Sequence, residues 1–131
     1  MTNLVPMAGE GKRFKVEGYE IPKPLIAVSG LPMVVQAIRS MPSSDDWIFV
    51  CRKEHIDDYS LDKILQKEIP NCEIISLDKT TEGQACTCLL AKDHIGMNRP
   101  LFIGACDNGM VIDQEKWNAL AADKSIDAII L

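Results

Sequence analysis

Apolar residues in this chain fall into short unbroken runs, set off by turn-forming residues and separated by stretches of helical spacing. Leu4–Ala8, Trp47–Cys51, Cys72–Leu77, Leu101–Cys106 and Ala128–Leu131 are near-continuous runs, and a shorter one covers Leu25–Val28. Continuity, rather than alternation, is what a strand covered on both faces requires. Between the runs, Met33–Met41 has the spacing of a short helix entered through Gly30-Leu31-Pro32. Ile56–Ile69 places Tyr59, Leu61, Ile64, Leu65 and Ile69 on one helical stripe, which Pro70 closes. Gly83–Asp93, with Leu89 and Leu90, and Gln114–Ala122, with Trp117, Leu120 and Ala121, predict two more helices.

Strands alternating with helices predict βαβ units, hence an α/β fold with a mostly parallel sheet and helices on both faces. Ligands of such sheets bind beyond the carboxyl ends of the strands. Chemistry is therefore sought after Ala8, after Leu77 and after Cys106. The last run, Ala128–Leu131, predicts a strand with nothing following it, and such an uncovered apolar edge suggests a fragment of a larger domain.

Composition narrows the classes. With 131 residues, 47% of them hydrophobic and 25% charged, the chain holds one soluble domain or a piece of one. Lys+Arg 14 against Asp+Glu 19 gives a formal charge of −5. That balance argues against a nucleic-acid partner and against a polybasic membrane anchor, while leaving room for a local cationic cluster that takes a small anion. No apolar run approaches the ~18 residues that span a bilayer. Met1-Thr2-Asn3-Leu4 lacks a basic region followed by an apolar stretch, so a cytoplasmic location is expected. Cys51, Cys72, Cys86, Cys88 and Cys106 are odd in number and scattered through apolar segments, which reads as small core hydrophobes rather than a disulfide framework. Cys86, Cys88, His94 and Cys106 lack the paired spacing of a zinc site. His55 and His94 are expected at helix ends or on the surface, Asp45-Asp46 in a loop, and Asp57-Asp58 at a helix start.

The first strand runs into Ala8-Gly9-Glu10-Gly11-Lys12-Arg13-Phe14. A dinucleotide fingerprint needs a third small residue where Phe14 stands, and a Walker A loop needs Gly at Pro6 and Ser or Thr at Arg13, so both templates fail. What remains still suits an anion. Glycines let successive N–H groups form a concavity, and Lys12 and Arg13 add charge at the same point. Downstream, Pro22-Lys23-Pro24 restricts a lysine to extended conformations and presents it as a fixed point charge. Read alone, the same residues equally fit a tight turn with solvated cations.

Taken together, Leu4 to Phe14, Gly18-Tyr19, Pro22-Lys23-Pro24-Leu25-Ile26 and Gly30-Leu31-Pro32-Met33 resemble the sugar-phosphate nucleotidylyltransferases, whose pattern is G-x-G-x-R, then P-K-P-L, then a G-x-P-M turn into a helix. The resemblance is specific over residues 4–41 and looser through Asp107. It implies a Rossmann-like nucleotidyltransferase fold, with residues 1–131 as the N-terminal nucleotide-binding part of that domain. It also implies transfer of a nucleotidyl group from a nucleoside triphosphate to a phosphorylated acceptor, a sugar 1-phosphate foremost, with release of pyrophosphate.

By that resemblance, Pro6, Met7, Ala8 and Gly9 hold the nucleotide, and Gly11, Lys12 and Arg13 wrap the departing phosphates. Arg13 and Lys23 are the candidate catalytic residues, opposing charge on the leaving pyrophosphate and on the α-phosphate or attacking phosphate. Thr81-Glu82-Gly83-Gln84-Ala85 resembles the family's second nucleotide loop, giving Gly83 and Gln84 as nucleotide-binding candidates; the plainer reading is an ordinary helix start. Asp107, at a strand end, matches the aspartate with which the family holds Mg²⁺, although Asp107-Asn108-Gly109 is also a good turn. Family members are longer than this chain, so weak turnover is expected of it alone. An exposed final strand would favour pairing into a homo-oligomer. A non-catalytic nucleotide-binding module and a Rossmann-like oxidoreductase or methyltransferase stand as the alternatives.

Overall fold

Thr2–Met7 forms β1, which is buried at every position because strands flank it on both sides and helices cover both its faces. The computed structural model describes residues 1–96 and 98–130. On one side β1 pairs in parallel with β4 (Asp46–Arg52), in register from Thr2↔Asp46 to Met7↔Cys51. On the other it pairs in parallel with β6 (Leu101–Ile103), from Thr2↔Leu101 to Leu4↔Ile103. β5 (Glu73–Leu77) lies parallel to β4, giving the order β5-β4-β1-β6. The chain thus builds outward from β1 to β5, then returns to the opposite side of β1 for β6. This reversal opens a crevice beyond the carboxyl ends of β1 and β6, the place where open parallel sheets bind their ligands.

Pro6 helps to open it. The Leu4 carbonyl accepts a hydrogen bond from the Gly104 amide, so Leu4 faces β6, and by the two-residue repeat of a strand Pro6 faces the same way. β6 has ended before it reaches Pro6. A proline is tolerated in this otherwise central strand because no partner calls for its missing N–H, and that missing donor keeps the ladder from closing further.

Alternate residues of the strands feed two unequal cores. Val5 and Met7 of β1 and Trp47, Phe49 and Cys51 of β4 join Val34, Val35, Ala37 and Ile38 of α2 (Met33–Ser40) and Leu61 and Leu65 of α4 (Leu61–Glu68). On the opposite face Leu4, Ile48 and Val50 meet Ala91, with Cys88 of α5 (Gln84–Leu89) half-buried against them. Helices therefore cover both faces, as predicted, but one much more thickly. A hairpin of β2 (Ala27–Val28) and β3 (Leu31–Pro32) leads into α2, and α6 (Gln114–Ala122) sets Trp117 edge-on to Phe102 at 5.8 Å.

Several sequence expectations are corrected. The helix over Ile56–Ile69 is two helices, α3 (Lys53–Tyr59) and α4, broken at Ser60, whose φ of 52° is left-handed. Asp57-Asp58 accordingly lie near the end of α3 rather than at a helix start, and Asp46 opens β4 rather than sitting in a loop. Gly83–Asp93 holds α5 followed by a separate turn of 3₁₀ helix, Lys92–His94. The run Leu101–Cys106 is strand only to Ile103, and of Leu25–Val28 only Ala27–Val28 is strand. Ala128–Ile130 pairs with no strand among the described residues; Leu131 lies outside them. His55 is buried, not a surface or end-capping group, while His94 is exposed and pairs with Glu73. Of the cysteines only Cys51 and Cys106 are fully buried, and all five are free thiols. Lys12–Val16, which lacks an apolar stripe, is a helix all the same, α1.

Candidate active site

The crevice is a cleft of about 370 Å³. Pro6, Met7, Gly9, Gly11, Lys12, Arg13 and Phe14 line it from the end of β1, and Lys23 and Pro24 from the turn before β2. Thr81, Gly83 and Gln84 line it from the loop after β5, and Ala105, Cys106 and Asp107 from the segment after β6, so Asp107 sits in a turn beyond the strand rather than at its end. The structure thus brings together all the candidates read from the sequence except Ala8, which is buried beneath the cleft floor.

Gly11 turns the first loop. Its φ of 63° is left-handed, a conformation that costs other residues about 1–2 kcal/mol, and its carbonyl accepts from the amides of Phe14 and Lys15 to start α1. Among the described residues, the amides of Gly9, Glu10 and Gly11 donate to no other group. Such donors are costly to bury unpaired, so they stand open to solvent or a ligand. No atom lies within 4 Å of where a Cβ on Gly9 or Gly83 would stand, so each leaves the cleft clear.

The three cations of the cleft differ in state. Lys12 is exposed and ion-paired with Glu10 at 3.0 Å. The hydrogen bond from Lys12 holds the Glu10 carboxyl below its ordinary value of 4.5, and Glu10 also accepts from Thr80 Oγ1 at 3.3 Å, joining the first and second loops. Arg13 is exposed and makes no hydrogen bond or ion pair through its side chain among the described residues. Lys23 is the most enclosed. Its turn, Lys23–Leu25, is a single 3₁₀ turn carrying Pro24, so Lys23 is helical and not extended as the following proline predicts; the Leu25 amide closes the turn by donating to the Pro22 carbonyl at 2.8 Å, which outweighs the local preference. The ammonium lies 5.6 Å from the centre of the Phe14 ring, which Tyr19 in turn meets edge-on at 5.7 Å, and it is ion-paired across the crevice with Asp107.

The second loop is tied by its threonines. Thr87 on α5 donates its amide to the Gly83 carbonyl at 3.0 Å, and the Thr81 hydroxyl reaches the same carbonyl at 2.9 Å and the Thr87 hydroxyl at 2.6 Å. In the turn after β6, burial and the neighbouring Asp107 push the Cys106 thiol up to about 11, which keeps it neutral and without nucleophilic character. Three cations, open amides and one carboxylate thus surround the space, with no base-activated nucleophile among the described residues. This equipment stabilises charge and positions groups.

Asp107 is the one carboxylate lining the cleft, and among the described residues no cluster of three or more metal-ligating groups occurs. A hard divalent cation held by one carboxylate, water and a ligand's phosphate oxygens needs no more, so Mg²⁺ fits Asp107. Sequence reading missed Phe14 as the ring beneath Lys23, the threonine knot, and the small recess behind Gly11 and Lys23 where buried His55 sits. An aromatic directly after the cationic pair Lys12-Arg13 was the available signal for the first; the others depend on contacts between distant segments.

No protein-family model matches this chain, and no curated protein matches it in sequence. Solved structures do. HddC from Yersinia pseudotuberculosis superposes over 94% of this chain and 55% of its own, with a TM-score of 0.70 at 21% identity. The nucleoside-diphosphate-sugar pyrophosphorylase from Vibrio cholerae RC9 covers 88% of this chain and 53% of its own, with a TM-score of 0.64 at 23% identity. The chain carries the nucleotidyltransferase fold. The inositol-1-phosphate CTP transferase from T. maritima shares it over 81% of this chain and 43% of its own, with a TM-score of 0.65 at 16% identity. The chain spans about half the length of these proteins. Among its described residues no helix is long and apolar enough to cross a membrane.

Proposed function

We propose that this chain is the nucleotide-binding part of a nucleotidyltransferase that moves a nucleoside monophosphate from a triphosphate to a phosphorylated acceptor and releases pyrophosphate. The observation that carries the reading is the convergence of Arg13, Lys23, Asp107 and the two glycines with unpaired amides, Gly9 and Gly11, on one crevice at the reversal point of the sheet. The neighbours named for a nucleoside-diphosphate sugar and for inositol 1-phosphate support a phosphorylated sugar or alcohol as acceptor.

In this reading the open amides and Arg13 take the β- and γ-phosphates, and the planar fork of Arg13 gains strength as charge builds on the leaving pyrophosphate. Lys23, fixed by its prolines and the Phe14 face, meets the α-phosphate or the incoming phosphate and offsets their repulsion. Gly83 and Gln84 border the nucleoside. Asp107 holds Mg²⁺, which when bound supplies positive charge to the phosphate oxygens.

The test is pyrophosphate release from a panel of nucleoside triphosphates and phosphorylated sugars and alcohols in the presence of Mg²⁺. Release that requires both substrates is expected, slow for a chain spanning half the length of its neighbours. Triphosphate binding without release from any pair favours a non-catalytic nucleotide-binding module instead. Stabilisation by NAD or S-adenosylmethionine, with none by triphosphates, overturns the reading.

A further inference from the structure

We propose that Asp107 serves as an internal stand-in for phosphate, occupying Lys23 while the cleft is empty, so that a polyphosphate must displace a carboxylate before it gains the lysine. The inference rests on the reading of the cleft given above and concerns how the ligand enters it. Lys23 is poised by local structure: the 3₁₀ turn closes its backbone and the Phe14 ring lies beneath the ammonium. Asp107 comes from the far side of the crevice, in the turn that follows β6, so the ion pair bridges the opening between the two chain segments that frame it. Lys23 is 23% exposed and Asp107 36%, enough for water to share the pair. A pair in that setting is worth little net energy and exchanges readily.

Two consequences follow. A phosphate arriving without a counter-cation gains Lys23 only by leaving Asp107 as an uncompensated carboxylate beside it, which lowers the affinity of the bare anion. A phosphate arriving with a divalent cation meets no such opposition, because Asp107 turns from the ammonium to the cation. The pair thus selects the metal-complexed form of the ligand, using residues of this chain alone.

Calorimetric titration of the 131-residue chain with inorganic pyrophosphate in EDTA tests this. Folding of each variant is verified by circular dichroism. Asp107→Asn is expected to bind pyrophosphate roughly two- to fivefold more tightly than the unsubstituted chain, the scale of freeing one partly exposed ion pair. In a Lys23→Met background the same substitution is expected to bring no such gain. Equal or weaker binding by Asp107→Asn overturns the inference, and so does a gain that persists without Lys23, since that would be simple removal of a negative charge. If neither the unsubstituted chain nor Asp107→Asn binds pyrophosphate, the reading of the cleft itself fails, and the inference with it.

Discussion

Lys23 and Arg13 face the same cleft, yet they are held in opposite ways. Lys23 stands on a proline-bounded 3₁₀ turn, over an aromatic ring and against a carboxylate. Arg13 stands on a five-residue helix with no buried residue, and its guanidinium is free among the described residues. One cation is preorganised and already compensated; the other is mobile in principle and uncompensated. The difference teaches that the cleft separates two tasks. Fixing the geometry of the reacting phosphate needs a rigid charge, since misplacement by an ångström forfeits much of the gain from positioning. Gathering the triphosphate tail needs reach and a planar fork, which a loosely held arginine supplies.

The comparison is broken most forcefully at the cations themselves. In an assembled enzyme, Arg13→Ala and Lys23→Ala are each expected to lower turnover on the order of 10²-fold or more, measured as pyrophosphate release. A near-normal rate for either removes it from the catalytic pair. The turn joining the two comes next. Gly11→Ala forces a side chain into the left-handed region, where a Cβ also meets that of Lys23 at an ordinary 3.5 Å, so strain rather than collision sets the cost. A loss of about 1–2 kcal/mol is expected in urea unfolding, with Gly9→Ala close to neutral because its Cβ meets open space.

A third effect comes from beneath the lysine. Burial, and secondarily Arg52, hold the His55 imidazole below its ordinary value of 6.5, and its Nδ1 has no partner. The unfolded chain therefore takes up the proton more readily than the folded one. Stability declines as pH falls through 6.5 and goes on declining until the lower folded value is passed. Thermal melts between pH 7.5 and 5 are expected to show this slope, and His55→Leu to flatten it; Arg52, Glu54 and Lys15 are the charged groups that act on the histidine in the folded state. The smallest effect is predicted for Glu10→Gln, which releases exposed Lys12 and leaves stability unchanged within error, as exposed pairs of this kind usually do.

How much of this was legible in the sequence depended on whether the signal was local. β1 and β4 were readable because both faces are covered and their apolar runs are continuous, and β5 from the apolar residues Ile74, Ile75 and Leu77, although it is only half-buried at the sheet edge. α6 was readable from its spacing, and Met33–Met41 from the turn before it. The break at Ser60 was not, because the apolar stripe runs on across it while a single left-handed residue redirects the axis. α1 escaped notice because Lys-Arg-Phe-Lys-Val buries nothing and owes its turn to the Gly11 carbonyl. Ala128–Ile130 has strand composition but is not a strand, and nothing local in its sequence distinguishes it from the runs that pair. In the cleft, the glycine loop, Pro22-Lys23-Pro24 and Asp107 could each be named in advance. That Lys23 and Asp107 would meet across 84 residues, or that Thr81 and Thr87 would knot the second loop, follows only from the order of the strands.

Central to the proposed function is the grip of the cleft's first loop on a triphosphate tail. The most direct measurement is an ¹⁵N NMR titration of the chain with a nucleoside triphosphate and Mg²⁺. The amide signals of Gly9, Glu10, Gly11, Lys12 and Arg13 are predicted to shift together and to saturate with a single binding constant. Saturating shifts elsewhere, with those amides unmoved, would contradict it.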